Sequence, residues 1–328
     1  MTISRRRLLR LTVAGIPAFA AFGTRLSVGK PSSGNPRLGV QTYSFRDMLE
    51  TPGDVTDKMI AAMHELGLTE CEMFEPMLQP PALSLNAPWR MTGGKPTEAS
   101  LRGAMPTGPL PASAIMDREA VRQWRLGPGL DHVGIASEKF RRAGIRIFAF
   151  NYLLKDNCTD EEVDRGFEMT RACGTRIMTA STTLTMARRA IPFVEKHEAY
   201  LAFHGHSNLA DPDQFATPQS FIQGLALSRW YKINLDIGHF SAAGFDSVAF
   251  IRAHHDRISN LHVKDRKNNN GPNVPLGEGD TPIRPVLELL KRERYAFPVD
   301  VEYEYAGSGT STQEIRRCLD YVKGILAV

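Results

Sequence analysis

From residue 38 onward, short apolar runs alternate with amphipathic helical patterns eight times, and nothing else in the chain restricts its fold so strongly. The runs are "LGVQTYS" (38–44), "TECEMFE" (69–75), "IRIFAFN" (145–151), "TRIMTAS" (175–181), "YLAFHGH" (200–206), "YKINLDI" (231–237), "ISNLHVK" (258–264) and "PVDVEYE" (298–304). Each is rich in β-branched, aromatic or other apolar residues and is bounded by turn or helix signals, as strands are. The helical patterns fall at 54–66, 131–143, 160–173, 184–197, 218–228, 246–256, 282–293 and 312–326. Eight such alternations predict an α/β chain folded as a (β/α)8 TIM barrel over residues 31–328. A doubly wound sheet is the alternative, but it explains less simply why polar residues gather at the carboxyl ends of so many strands.

One connection breaks the rhythm. Residues 77–130 separate the second strand from its helix and are rich in proline, with Trp89 and Trp124 among them. Long irregular βα connections often carry function, so an insertion or lid over the catalytic rim is expected here, with Trp89 as a substrate contact.

Residues 1–30 form a separate segment. They hold six basic residues and no acidic one; without them 40 Lys and Arg become 34 against 36 Asp and Glu, and a net charge of +4 becomes −2. The basicity therefore belongs to the leader, and the remainder offers no electrostatic footprint for nucleic acid. "SRRRLLR" (4–10) followed by a largely apolar stretch at 11–22 is too short to span a bilayer and looks like a twin-arginine export signal. A periplasmic or envelope location, reached through the twin-arginine machinery, is the expectation. The four cysteines show no C-x-x-C pair, which argues against a zinc ribbon or redox motif.

The last four strands end in polar clusters: "FHGHSN" with His204, His206 and Asn208, "LDIGH" with Asp236 and His239, "HVKD" with His262 and Lys264, and "VEYEY" with Glu302 and Glu304. Residues two apart share a face of a strand, so His204 and His206, His262 and Lys264, and Glu302 and Glu304 pair by side. If those faces point inward, imidazoles and carboxylates from four consecutive strands converge. Burying them together leaves polar groups unpaired unless a cation joins them, and His, Asp and Glu suit Mn²⁺, Co²⁺, Fe²⁺ or Zn²⁺.

"LDIGH", "LHVKD" and "VEYEY", in that order and at strand spacing, resemble the xylose isomerase-like barrels, the sugar phosphate isomerase/epimerase family. "LGLTECEMFEP" is similar to that family's second strand, with Glu72 at its acidic position. The resemblance covers nearly everything after residue 37. It implies one divalent metal held by Asp236, His262 and Glu302, with His204 where the family places an acidic ligand. It also implies that His239 touches a substrate hydroxyl or carbonyl, and that the reaction is epimerisation or isomerisation of a carbohydrate.

Strand five departs from the family pattern. Its His-x-His puts a symmetrical two-glutamate mechanism in doubt and makes His206 a second ligand or the base. In the mechanism expected, a metal acts as Lewis acid on a sugar carbonyl and stabilises the enediolate formed when the α-proton leaves. His206 or Glu302 moves that proton, Lys264 stabilises negative oxygen and Glu304 relays protons. Glu72 and Asn208 complete the expected substrate contacts. Elimination from a 3-keto-glycoside with the same site, or sugar binding without chemistry, are the alternatives. DNA-repair barrels of the same superfamily fit poorly with the charge outside the leader.

Overall fold

The structure, a computed structural model, describes residues 35–80, 83 and 112–327. The expected export signal, Trp89 and most of the 77–111 stretch lie outside the described residues.

Sequence patterns become elements through local chemistry. Strand β1 (Leu38–Gln41) is followed by a 3-10 segment at Thr42–Glu50, and helix α1 (Val55–Leu66) begins where the Asp54 carboxylate accepts the N–H groups of Thr56 and Asp57. After β2 (Glu70–Phe74) come α2 (Ala112–Leu126), α3 (Gly129–Arg142) and β3 (Arg146–Asn151). Helix α4 (Asp160–Ala172) opens with a reciprocal capping box between Thr159 and Glu162. Next are β4 (Ile177–Ala180), α5 (Leu184–Arg189), α6 (Ile191–His197), β5 (Tyr200–His204), α7 (Pro218–Leu227) and β6 (Tyr231–Asp236). The chain continues through α8 (Ile237–Ala242), α9 (Ser247–His254), β7 (Ile258–Val263) and a small antiparallel pair, β8 (Asp265–Arg266) with β9 (Asn273–Val274). Helix α10 (Ile283–Glu293), β10 (Val299–Val301) and α11 (Ser311–Leu326) complete it.

Strands β1 to β7 and β10 close into one barrel in the order β1-β10-β7-β6-β5-β4-β3-β2, with every neighbouring pair parallel. The (β/α)8 expectation holds. Parallel strands are covered on both faces, so their residues are buried almost without exception. One face of each strand packs against helices. There, phenyl rings such as Phe203 and Phe215, stacked with centroids 4.0 Å apart, each contribute roughly 1.5–3 kcal/mol by burial. The other face lines the barrel, and in the last strands it is polar: Asn234 and Asp236, Asn260 and His262, Asp300 and Glu302. Register sets Asp236 opposite His262, and His262 opposite Asp300.

Three local readings are corrected. Strand β6 stops at Asp236 rather than 237, because the Asp236 side chain accepts the His239 N–H at 2.7 Å and starts α8 at once. The single helix expected at 184–197 is two, α5 and α6, with Pro192 in the first turn of the second, where it can cap a new helix but not continue an old one. The end of the 77–130 connection is regular: α2 packs on the barrel's flank through buried Trp124 and Arg125. Arg125 makes a two-point ion pair with Glu75 at 2.6 and 2.7 Å, reaches Glu162 at 3.1 Å and lies over the Tyr152 ring. No described helix is long and apolar enough to cross a membrane. All four cysteines are free and buried.

Candidate metal centre

Four side chains from four consecutive barrel strands meet at the carboxyl rim. His204 ends β5, Asp236 ends β6, His262 is on β7 and Glu302 follows β10; one ligand atom from each lies within 4.8 Å of the others, and all four residues are buried. His204 Nε2 is 3.5 Å from Asp236 Oδ2 and 4.0 Å from Glu302 Oε2, while His262 Nδ1 is 2.9 Å from Glu302 Oε2. Asp236 divides its work. Its Oδ1 caps α8, which leaves Oδ2 turned to the cluster.

Lys264 lies beside this group on the same face of the chain as His262. Its ammonium is 2.9 Å from Asp236 Oδ2, 2.8 Å from Glu302 Oε2 and 2.5 Å from Glu304 Oε2. Burial opposes charge on Lys264, but the three carboxylates raise its pKa far above the ordinary range. In return, Lys264 and His262 outweigh the burial of Glu302 and hold its carboxyl well below the usual value. Gly238 makes room for the lysine stem: a Cβ there would stand 2.5 Å from Lys264 Cγ and 2.9 Å from its carbonyl oxygen.

Beneath the rim, Glu72 is the hub of a polar floor. It accepts hydrogen bonds from Asn151 (2.9 Å), Thr179 (2.6 Å), Asn234 (3.1 Å), Asn260 (2.6 Å) and His262 Nε2 (2.7 Å). Glu72, expected among the substrate contacts, is fully buried and engaged one layer below the cluster, where it orients His262. Such a carboxylate behind an imidazole is the usual support of a metal-ligating histidine. Burial opposes charge on His262, yet Glu72 and Glu302 on its two nitrogens hold its pKa well above the ordinary value. Glu72, His262 and Asp300 also lie within 4.8 Å of one another. That lower group is the poorer cation site, because the Glu72 oxygens are taken and burial with Glu72 nearby pushes Asp300 up to about 8.

The remaining predicted residues sit around the mouth. The His239 ring centroid is 6.0 Å from that of His204, and His206 lies 5.0 Å from His204 and 4.9 Å from His239. Burial, with the Lys264 charge beside His239 and His204 beside His206, lowers both pKa values well below the ordinary one. Glu304 meets the cluster through Lys264. Asn208, expected at the substrate, accepts the Ala210 N–H on its Oδ1, and no hydrogen bond joins it to the cluster among the described residues.

Sequence reasoning missed the floor (Asn151, Thr179, Asn234, Asn260), Ser181 against His204 Nδ1 at 3.1 Å, and buried Arg266. Period-two spacing from Asp236 and His262 would have found Asn234 and Asn260. Arg266 follows "HVKD" in a separate two-residue strand, past the end of β7 at Val263.

The upper group fits a divalent ion. His204 Nε2 and Asp236 Oδ2 are buried and make no hydrogen bond of acceptable geometry, an expensive arrangement that coordination would relieve. Fold and site together define a TIM barrel with a His-Asp-His-Glu candidate centre at its carboxyl rim. Residues 137–323 match the xylose isomerase-like TIM barrel family, and the chain belongs to it.

Over 98 residues the chain is 32% identical to the L-ribulose-5-phosphate 3-epimerase UlaE of Escherichia coli, a stretch that is 30% of this chain and 34% of that protein. The chain thus spans about a third of the length of the curated relatives it matches. Among solved structures, a sugar phosphate isomerase/epimerase from Parabacteroides distasonis aligns with TM-score 0.54 at 16% identity, covering 88% of this chain and 93% of that one. The IOLI protein with a bound zinc atom aligns with TM-score 0.56 at 15% identity, covering 89% and 98%. At these identities the solved structures establish a shared fold.

Proposed function

We propose that this chain is a divalent-metal-dependent enzyme that removes the proton α to a carbonyl of a carbohydrate, and returns it as an isomerase or epimerase does. The observation that carries the reading is the buried His204–Asp236–His262–Glu302 group with its two orphaned polar atoms. These four residues would hold the ion. When bound, it supplies Lewis-acid polarisation of a substrate carbonyl or hydroxyl oxygen. The partial kinship with a sugar phosphate epimerase supports a carbohydrate substrate, and the twin-arginine-like leader supports a non-phosphorylated one met outside the cytoplasm.

The chain's own groups divide the work. His206, half-buried and with no hydrogen bond to its ring from the described residues, is an uncharged imidazole at the mouth and serves as base. The α C–H bond breaks, the proton moves to a ring nitrogen of His206, and the electron pair enters the adjacent carbonyl to give an enediolate. Lys264 places positive charge beside the developing oxyanion. Return of the proton by His206 to the neighbouring carbon gives the isomer, whereas delivery of a proton to the opposite face by a second donor gives the epimer. Expulsion of a β-substituent by the same electron pair would be elimination.

Turnover in D2O tests this. Incubation with free ketoses, aldoses and 3-keto-glycosides should incorporate deuterium at one α-carbon, abolished in His206→Ala. Loss of the aglycone would assign elimination. Saturable sugar binding with no exchange on any substrate would instead make the chain a binding protein.

A further inference from the structure

Arg266 is 1% exposed, has no carboxylate partner among the described residues, and plays no part in the chemistry above. Its guanidinium is nonetheless fixed on every side. Both Nε (3.1 Å) and Nη2 (2.7 Å) donate to the Gly271 carbonyl, and Nη1 donates to Ser207 Oγ at 2.8 Å and to His239 Nδ1 at 2.7 Å. The Gly271 turn that supplies the carbonyl is closed to other residues, since a Cβ there would stand 2.4 Å from Lys267 Cβ.

Arginine has donors and no acceptor, so His239 Nδ1 must receive that bond with a bare lone pair. On the other side of the ring, Nε2 is 3.2 Å from Lys264 Nζ, also a donor only. A neutral imidazole carries one proton and cannot accept on both nitrogens, so one contact is not a hydrogen bond. Distance decides which. The Arg266 contact is 2.7 Å and the Lys264 contact 3.2 Å, and Lys264 Nζ is drawn instead to the Glu304 carboxylate at 2.5 Å. Arg266 Nη1 has two hydrogens for its two partners, Ser207 and His239.

We infer that Arg266 is a positioning residue that locks His239 as the tautomer with Nδ1 bare and the proton on Nε2, making His239 a hydrogen-bond donor to substrate oxygen and not a base. Nε2 is 4.0 Å from Asp236 Oδ2, which sets that nitrogen beside the candidate centre. The assignment of substrate oxygen as acceptor rests on the function proposed above; the tautomer does not. It divides labour between the two mouth histidines: His206 takes a proton from carbon, while His239 steadies oxygen.

Long-range ¹H–¹⁵N spectra of ring-labelled histidine in the full-length, zinc-loaded protein read the tautomer directly, with His239→Gln identifying the signal. The expected result is a protonated Nε2 and an unprotonated Nδ1 across neutral pH. A proton on Nδ1, or on both nitrogens, would overturn the inference whether or not any sugar turns over. In Arg266→Met the single-tautomer signature should be lost, and Arg266→Lys, which retains a donor, should restore it in part. If the function is also right, Arg266→Met lowers kcat by about ten- to a hundredfold with a smaller change in KM. A wild-type signature as predicted, with no turnover by any sugar, would sink the proposed function and leave the tautomer standing.

Discussion

His204 Nε2 and Asp236 Oδ2, on neighbouring strands, face each other across 3.5 Å, and neither completes a hydrogen bond. Leaving such atoms unmade costs about 1–3 kcal/mol each. Well-packed barrels do not keep that cost at a rim without return, and the two atoms are half of the group that would hold the ion.

Glu72 tests the support of that group. Glu72→Gln keeps the shape of the floor but replaces the carboxylate that orients His262 through Nε2. We expect metal affinity to fall by about ten- to a hundredfold, read by competition with a chelating dye, while the fold persists by circular dichroism. Unchanged affinity would separate the floor from the centre.

Gly238 tests the place of Lys264. In Gly238→Ala the new Cβ meets both the lysine stem and its backbone oxygen. Overpacking of this kind costs about 1–3 kcal/mol. The variant should melt earlier and lose turnover more than it loses metal. Wild-type stability would show that the lysine has room to move.

Arg125 tests the clamp on α2. Arg125→Ala strands Glu75 without its buried partner and leaves Glu162 with Arg118 alone, which should cost about 3–5 kcal/mol in urea unfolding. Burial opposes charge on Glu162, but Arg118, the Thr159 backbone and Arg125 hold its pKa below the ordinary 4.5. Its folded-state pKa is thus the lower one, so its contribution is complete above pH 4.5 and fades as pH falls through the folded value. Wild type should lose that stability under acid, and Arg125→Ala should lose less of it.

The leader tests location. Replacing Arg5 and Arg6 together by lysine should leave the full-length precursor in the cytoplasm, read by fractionation of cells expressing it. Delivery of the double variant outside the cytoplasm, at wild-type levels, would contradict export by the twin-arginine route.

Much of this molecule was legible in its sequence, for physical reasons. Parallel strands buried on both faces read as apolar runs, and Thr159 and Asp54 advertise helix starts, so strand and helix order followed directly. The inward faces of β5, β6, β7 and β10 followed from period two, and His204, Asp236, His262 and Glu302 do converge. Where the period stops, reading stopped with it. Arg266 lies past the end of β7 in a separate two-residue strand, and its contact with His239 joins positions 27 apart, which no local pattern encodes. Strand spacing places Glu72 on the inward face but does not give its depth, one layer below the cluster.

The most direct test of the central claim is metal per protomer by mass spectrometry, on wild-type protein and on Asp236→Asn prepared alongside it. An asparagine can still cap α8, so the variant should fold while lacking the charged Oδ2. About one Mn, Co, Fe or Zn is expected in the wild type, and its loss in the variant. A wild type that retains no divalent ion after loading and exhaustive dialysis would contradict the claim.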